Sequence, residues 1–377
     1  MQMRTQRIRL LDILRGFAVL GTLGTNIWIF AYFGDLSYIT TYAYTSWWEL
    51  DDLIRMIVLF LVNGKLLGLL TIMFGVGLEL KYRQALKRGN AWPGIYIWTS
   101  CILMIEGLIH FTLVMEYDIL MSYGVTAIIV SFIIKGGDKV ISKVMKWIAG
   151  IHGGLILLLL IVSFLGANMS LGSFDEVVLL YKEATWLEQV QYRLSNFLIL
   201  RSEAILIIPM NIFLFLLGVR MMRSGVFSPD ESGKQKRAKL LKIGLYIGVP
   251  LNMLIFVPGG MFDMPVRYLF APLLSLGYIA LIARLVEMKE QFWLWKRLED
   301  VGKMSLSCYV LQNLLASILF YKWGFGLGET LSSIAVIFIW LLISAVQIFF
   351  AAVWLRKFPF GPMELARKQV ASIRLIR

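Results

Sequence analysis

Residues 102–124 read ILMIEGLIHFTLVMEYDILMSYG. Glu106 and His110 stand one helical turn apart near the end of an apolar run, and Asp118 occupies a very short turn before the next run begins. Two apolar runs joined so tightly read as neighbouring antiparallel membrane helices. Ionisable groups are expensive in lipid, so those placed here mark a functional site by default.

The composition extends that reading to the whole chain. Of 377 residues, 59% are hydrophobic and only 16% are charged, whereas a soluble domain is about half apolar and about a quarter charged. The mean hydropathy of +0.74 excludes a soluble globular protein. Cys101 and Cys308 both fall inside apolar runs, which argues against a disulfide framework or a thiolate metal site. A net charge of +13 raises the question of nucleic acid in a soluble protein; in a membrane protein it asks which loops hold the charge, and no nucleic-acid partner is expected.

Apolar windows of about spanning length fall near 13–33, 53–80, 95–114, 117–134, 147–166, 203–222, 241–257, 265–287, 304–322 and 332–354. The fold class is therefore an all-α, polytopic integral membrane helix bundle with about ten transmembrane helices. The basic start leads into a run of full spanning length, which reads as the first span and not as a cleavable signal. The second window is too long for one straight crossing and contains Asn63-Gly64-Lys65, so a tilt, a break or an interfacial part is expected there. Alternate connections, with the two ends of the chain, hold 30 of the 37 Lys and Arg residues. By the positive-inside rule this puts both termini in the cytoplasm, in a bacterial plasma (inner) membrane. Trp47, Trp48, Trp92, Trp98, Trp147, Trp186 and Trp354 lie near span ends, as an aromatic belt requires. The chain reads as one integral membrane domain over 1–377, with a site-bearing part to 222, a solvated cytoplasmic loop at 223–242, and C-terminal helices with a basic tail over 243–377.

That topology brings polar residues of several spans to one extracytoplasmic level: Asn26, Asn63, Lys65, Glu106, His110, Asp118, Arg201, Glu203 and Arg267. Glu106 and His110, at i and i+4, share a helix face, where a carboxylate can orient an imidazole. Such a pair could act as a general base or merely satisfy itself. Asn26 must find partners in neighbouring helices or in a ligand. Asp12 and Arg15 suit a local ion pair, with anion binding by Arg15 as the functional alternative. Gly64, Gly68, Gly75 and Gly77 suit close helix packing, and Tyr309, Gln312 and Asn313 could glue helices or line a pocket. His152 lies far from His110, so no metal site is expected. Phe360-Gly361-Pro362-Met363-Glu364 reads as a turn starting a basic surface helix along anionic lipid.

Several stretches together resemble the YeiB-like family of bacterial integral membrane proteins of unassigned function, over nearly the whole length. They are Leu11-Asp12-Ile13-Leu14-Arg15-Gly16-Phe17 with Asn26, Lys65 with Phe74-Gly75-Val76-Gly77, and Gly107-Leu108-Ile109-His110 with Asp118-Ile119-Leu120. Gly302-Lys303-Met304-Ser305 with Tyr309 and Gln312, and Gly361-Pro362-Met363-Glu364, complete the set. The N-terminal part is distantly similar to transmembrane acyltransferases such as heparan-alpha-glucosaminide N-acetyltransferase. The resemblance implies transfer of an acyl group from cytoplasmic acyl-CoA to an acceptor on the far side. The histidine that the acetyltransferase carries soon after its asparagine has no counterpart in Tyr32-Phe33-Gly34-Asp35-Leu36-Ser37-Tyr38. Either His110 supplies the base from another helix, or this branch has lost the reaction.

The leading expectation is thus a membrane acyltransferase using acyl-CoA and no metal. His110 is the base, Glu106 or Asp118 orients it, and Asn26 is an oxyanion-type donor. Arg15, Lys65, Asn63, Tyr123, Arg201, Arg267 and Gln312 are candidates for substrate binding. The expected partners are membrane lipids and an envelope polymer, lipid or small-molecule acceptor, with a homo-oligomer left open. The alternatives are a transporter or exporter of a small amphiphile, or a non-catalytic sensor or immunity-type protein.

Overall fold

The computed structural model describes residues 8–41, 49–165 and 175–373. Trp47 and Trp48, and the basic residues Arg4, Arg7, Arg374 and Arg377, lie outside the described residues.

The described chain is all-helical. It runs through α1 (Arg9–Ala31), α2 (Leu50–Val62), α3 (Lys65–Lys87), α4 (Ile95–Leu113), α5 (Leu120–Lys135) and α6 (Gly137–Phe164). The short helices α7 (Asp175–Glu183), α8 (Trp186–Ser195) and α9 (Phe197–Leu200) precede α10 (Ala204–Arg223) and α11 (Glu231–Ile243). A π-helical turn at Gly244–Gly248 continues α11 into α12 (Val249–Asn252). Helix α13 (Asp263–Pro265) likewise runs through π-helical Val266–Phe270 into α14 (Ala271–Met288). The chain closes with α15 (Trp293–Lys303), α16 (Ser305–Phe320), α17 (Ser333–Trp354) and α18 (Pro362–Ile373).

Eight helical stretches among the described residues are long and apolar enough to cross a membrane, or nine if α15 and α16, bent by 88°, count as one broken span. Helix α5 is apolar but shorter. Each of the ten sequence windows thus coincides with a helical segment, in a polytopic helical membrane protein. Of the three readings of the second window, a break is what the structure shows. Gly64 adopts a left-handed φ of 74°, and a Cβ there would meet the Arg267 carbonyl oxygen at 2.7 Å. Only glycine meets both demands without strain.

Small residues let helix backbones touch where no water-driven force pulls helices together. A Cβ on Gly16 would lie 2.0 Å from the Leu298 carbonyl oxygen, and one on Gly302 1.8 Å from that of Asp12, so α1 and α15 interlock. Gly75 and Gly218 do the same for α3 and α10, meeting the carbonyl oxygens of Phe215 and Ile72.

Polar contacts sort the helix ends into two sets. At one face, rich in Lys and Arg, Arg9 pairs with Glu299 at 3.2 Å, and Arg223 with Asp138 at 2.6 Å and Glu79 at 3.0 Å. At the opposite face Lys182 pairs with Glu329 at 2.7 Å, the Ser333 amide donates to Asp51, and the Thr41 amide donates to Asp263. Helices therefore enter and leave in alternation, and the candidate site lies toward the second face.

Candidate functional site

The site grows out of the α4–α5 hairpin. Gly107 lets α5 approach so closely that a Cβ there would lie 2.5 Å from the Met121 amide nitrogen and 2.8 Å from Asp118 Oδ2. Asp118 Oδ2 accepts that Met121 amide at 3.0 Å, which ties the carboxylate to the start of α5. Asp118 Oδ1 stands 3.0 Å from His110 Nδ1, and both side chains are almost fully buried. On the other ring edge, the Asn313 amide Nδ2 lies 3.2 Å from His110 Nε2, while Asn26 Nδ2 donates to Asn313 Oδ1 at 3.4 Å. An amide NH₂ can only donate, so this arrangement makes Nε2 the acceptor and puts the ring proton on Nδ1, which lies 3.0 Å from Asp118 Oδ1 without the alignment of a hydrogen bond. The Tyr309 ring packs against the imidazole, 5.2 Å between centroids.

This overturns one partnership read from the sequence. Glu106 does not orient His110; its Oε2 takes the guanidinium of Arg367 on α18, with Nε at 2.9 Å. The i,i+4 spacing was correct, but Asp118 and Arg367 offered each residue a better-placed partner across helices. His110 is 3% exposed and sits behind Asp118 and Tyr309, facing neither lipid nor open cavity.

Above Asp118, toward the far face, is a cavity of about 60 Å³. Asn26, Asn63, Asp118, Arg201 and Arg267, from five separate parts of the chain, all line it, as do Glu203 and Tyr309. Arg201 donates to the Asp118 carbonyl at 2.6 Å and to Ser122 Oγ at 2.9 Å, bracing the turn from outside. Arg267 lies 3.5 Å from Glu203, which also accepts the Tyr268 hydroxyl. Lys65 and Gln312 are not brought here. Lys65 is fully buried, its ammonium 3.5 Å from the Leu59 carbonyl and 5.8 Å from the centre of the Phe60 ring. Gln312 spans Thr22 and Gln347, gluing α1, α16 and α17.

A second cavity, of about 270 Å³, reaches in from the basic face. Arg15, Lys81, Lys303 and Arg367 line its wall together with Glu364, and Leu70, Phe74, Leu103 and Tyr123 line its interior. Arg15 keeps a contact of 3.2 Å with Asp12, and Gly77 leaves room for it, since a Cβ there would meet Nη2 at 3.2 Å. Tyr123 shares a 2.7 Å hydrogen bond with Thr71. Ile119 and Tyr309 line both cavities, so the two approach each other from opposite faces at the His110–Asp118 pair. Along α1 the lining passes from Arg15 and Val19 to Thr22 and Asn26, one helix face followed over roughly 16 Å.

Residues 221–374 match the family model described as "Protein of unknown function (DUF418)". The chain is 29% identical to "Uncharacterized protein YeiB" of Escherichia coli (strain K12), covering 96% of this chain and 95% of that protein. It is also 24% identical to "Uncharacterized protein YxaH" of Bacillus subtilis (strain 168), over 95% and 92% of the two chains. The chain is thus similar over nearly its whole length to uncharacterised YeiB-like proteins. Within this YeiB-like chain, the segment matched by the family model supplies Arg267, Lys303, Tyr309, Asn313, Glu364 and Arg367, and the preceding half supplies the His110–Asp118 hairpin.

Sequence reasoning left Tyr309 and Asn313 open between gluing helices and lining a pocket, gave Glu364 only as part of a turn that starts a surface helix, and did not single out Lys81 or Arg367. Glu364 accepts from the backbone amides of Leu306 (2.9 Å) and Ser307 (3.4 Å), a carboxylate at the positive end of α16. Helix α18 is therefore docked on α4 and α16, not simply laid along lipid as its basic residues suggested. The signal was Glu364 itself, an acidic residue opening a basic helix. Among the described residues, no three His, Cys, Asp or Glu side chains cluster as a metal site.

Proposed function

We propose that this YeiB-like protein is a membrane acyltransferase that takes an acyl group from cytoplasmic acyl-CoA and gives it to an acceptor hydroxyl or amine reached from the extracytoplasmic side. The observation that carries the reading is the meeting of two cavities at Ile119 and Tyr309, beside the buried His110–Asp118 pair. The bias of 30 of 37 Lys and Arg residues makes the basic face cytoplasmic, with both termini there, in a bacterial plasma membrane.

Arg15, Lys81, Lys303 and Arg367 suit the phosphates of the donor, and the apolar interior of the same cavity suits its acyl chain. The acceptor approaches Asp118 through the far cavity. As its oxygen or nitrogen bonds to the thioester carbonyl carbon, its proton passes to the His110–Asp118 pair, the C–S bond breaks, and the CoA thiolate takes the proton up. Asp118 stabilises the imidazolium, and Asn26, on the cavity wall, donates to the developing oxyanion.

Acyl transfer from labelled acetyl-CoA by protein in nanodiscs, with native envelope lipid extract as acceptor, tests this. His110→Ala and Asp118→Asn should each lower turnover by about 10² or more with the melting temperature preserved. Unchanged transfer in His110→Ala would sink the assignment.

A further inference from the structure

Outside the His110 site, the chain holds a larger opening on the far side. A cavity of about 430 Å³, within the size range of small-molecule sites, shares Asn63, Glu203, Arg267 and Tyr268 with the small cavity above Asp118. Much of the rest of its wall is apolar, with Leu159 of α6, Ile199 of α9, Leu206 of α10, and Val266. Ile199 is 74% exposed while lining the cavity, and Leu158 and Ile205 nearby are also exposed, so the mouth opens among side chains that face lipid. One end is thus greasy and lateral, the other polar and directed at Asp118.

The polar end is selective about charge. Around the joined cavities stand Glu116, Asp118, Glu203 and Asp263 against Arg201 and Arg267; Arg193, 3.9 Å from Glu116, offsets a third carboxylate and leaves an excess of one negative charge. It is also short of hydrogen-bond donors. Asn63 spends its Nδ2 on the Ile39 carbonyl at 3.0 Å, which leaves Oδ1 buried with no partner among the described residues. Glu116 Oε1 is likewise buried without one. Buried acceptors left unmatched cost free energy until a donor arrives. An anionic head would add repulsion; a head carrying hydroxyls would satisfy both oxygens.

We propose that this cavity binds a membrane amphiphile with an uncharged, hydroxyl-bearing head, entering from the far leaflet past Ile199 and Leu206 with its head toward Asn63 and Asp118. The proposal deepens the acyltransferase reading by naming its acceptor class, and it rests on that reading only for the transfer step.

Binding can be measured without acyl-CoA, so its outcome is separate from that of the transfer assay. With the full chain in nanodiscs, tritiated decyl glucoside should bind saturably. Decyl phosphate and free glucose should each compete about tenfold or more less well. Leu206→Trp, which fills the cavity, should weaken binding about tenfold; Ile199→Trp, at the exposed mouth where folding is not at risk, should weaken it in the same direction. Glucoside binding that is absent, matched by decyl phosphate or by glucose, or unaffected in a folded Ile199→Trp protein would overturn the proposal.

Discussion

The two cavities that meet at Tyr309 differ in every property except their shared wall. The basic-face cavity is lined by four cations and one carboxylate, and that carboxylate, Glu364, is committed to the amides that open α16. The far cavities are lined by more carboxylates than cations and hold buried acceptors with no donor among the described residues. Such opposite electrostatics on either side of one buried His–Asp pair suit two unlike ligands better than one ligand that passes through. A transporter site alternately open to both faces has less use for walls of opposite sign.

Removing the wall should have the largest effect. Tyr309→Ala joins the cavities, so acyl-CoA hydrolysis in the absence of acceptor should rise from background; a rise in solute permeability of liposomes with no hydrolysis would favour the transporter instead. Next, Arg15→Gln and Lys81→Gln should raise KM for acyl-CoA by about tenfold at unchanged kcat, since each removes one partner of an anion bound equally before and during the reaction. Equal losses with acyl-pantetheine, which lacks the nucleotide phosphates, would break the electrostatic contrast. Gly77→Ala, which crowds the Arg15 guanidinium, should shift donor KM in the same direction by a smaller factor and leave decyl glucoside binding alone. The smallest effect is expected for Glu364→Gln, which weakens the hold on the α16 amides and should cost about 1 kcal/mol of stability, read as a lowered melting temperature.

Much of this architecture is legible in the amino-acid sequence. Long apolar windows and the distribution of Lys and Arg are local properties, because each crossing must satisfy its own backbone and bury its own length in lipid. The level shared by Asn26, Asn63, Asp118, Arg201 and Arg267 follows from the same arithmetic of rise per residue, and all five line one cavity. Partner choice is not legible. Glu106 and His110 share a helix face, yet each bonds to a residue from another part of the chain: Arg367, 261 positions away, and Asn313, 203 positions away. Lys65 stands at the right depth and still turns toward Phe60 and the Leu59 carbonyl, because depth along an axis says nothing about rotation around it.

The sequence by itself determined an all-helical membrane bundle and the ten helical segments, since these depend on length, hydropathy and charge; of the polar groups read at one level, Asn26, Asn63, Asp118, Arg201, Glu203 and Arg267 line one cavity, whereas Glu106 pairs with Arg367 on the wall of the other. The tertiary structure alone decided that Asp118 and not Glu106 faces His110, that α18 docks under α16, and that two cavities of opposite character meet at Tyr309. Those outcomes depend on how helices rotate and interlock through glycines such as Gly16, Gly107 and Gly302, and interlocking is a property of pairs of helices that no single stretch of chain contains.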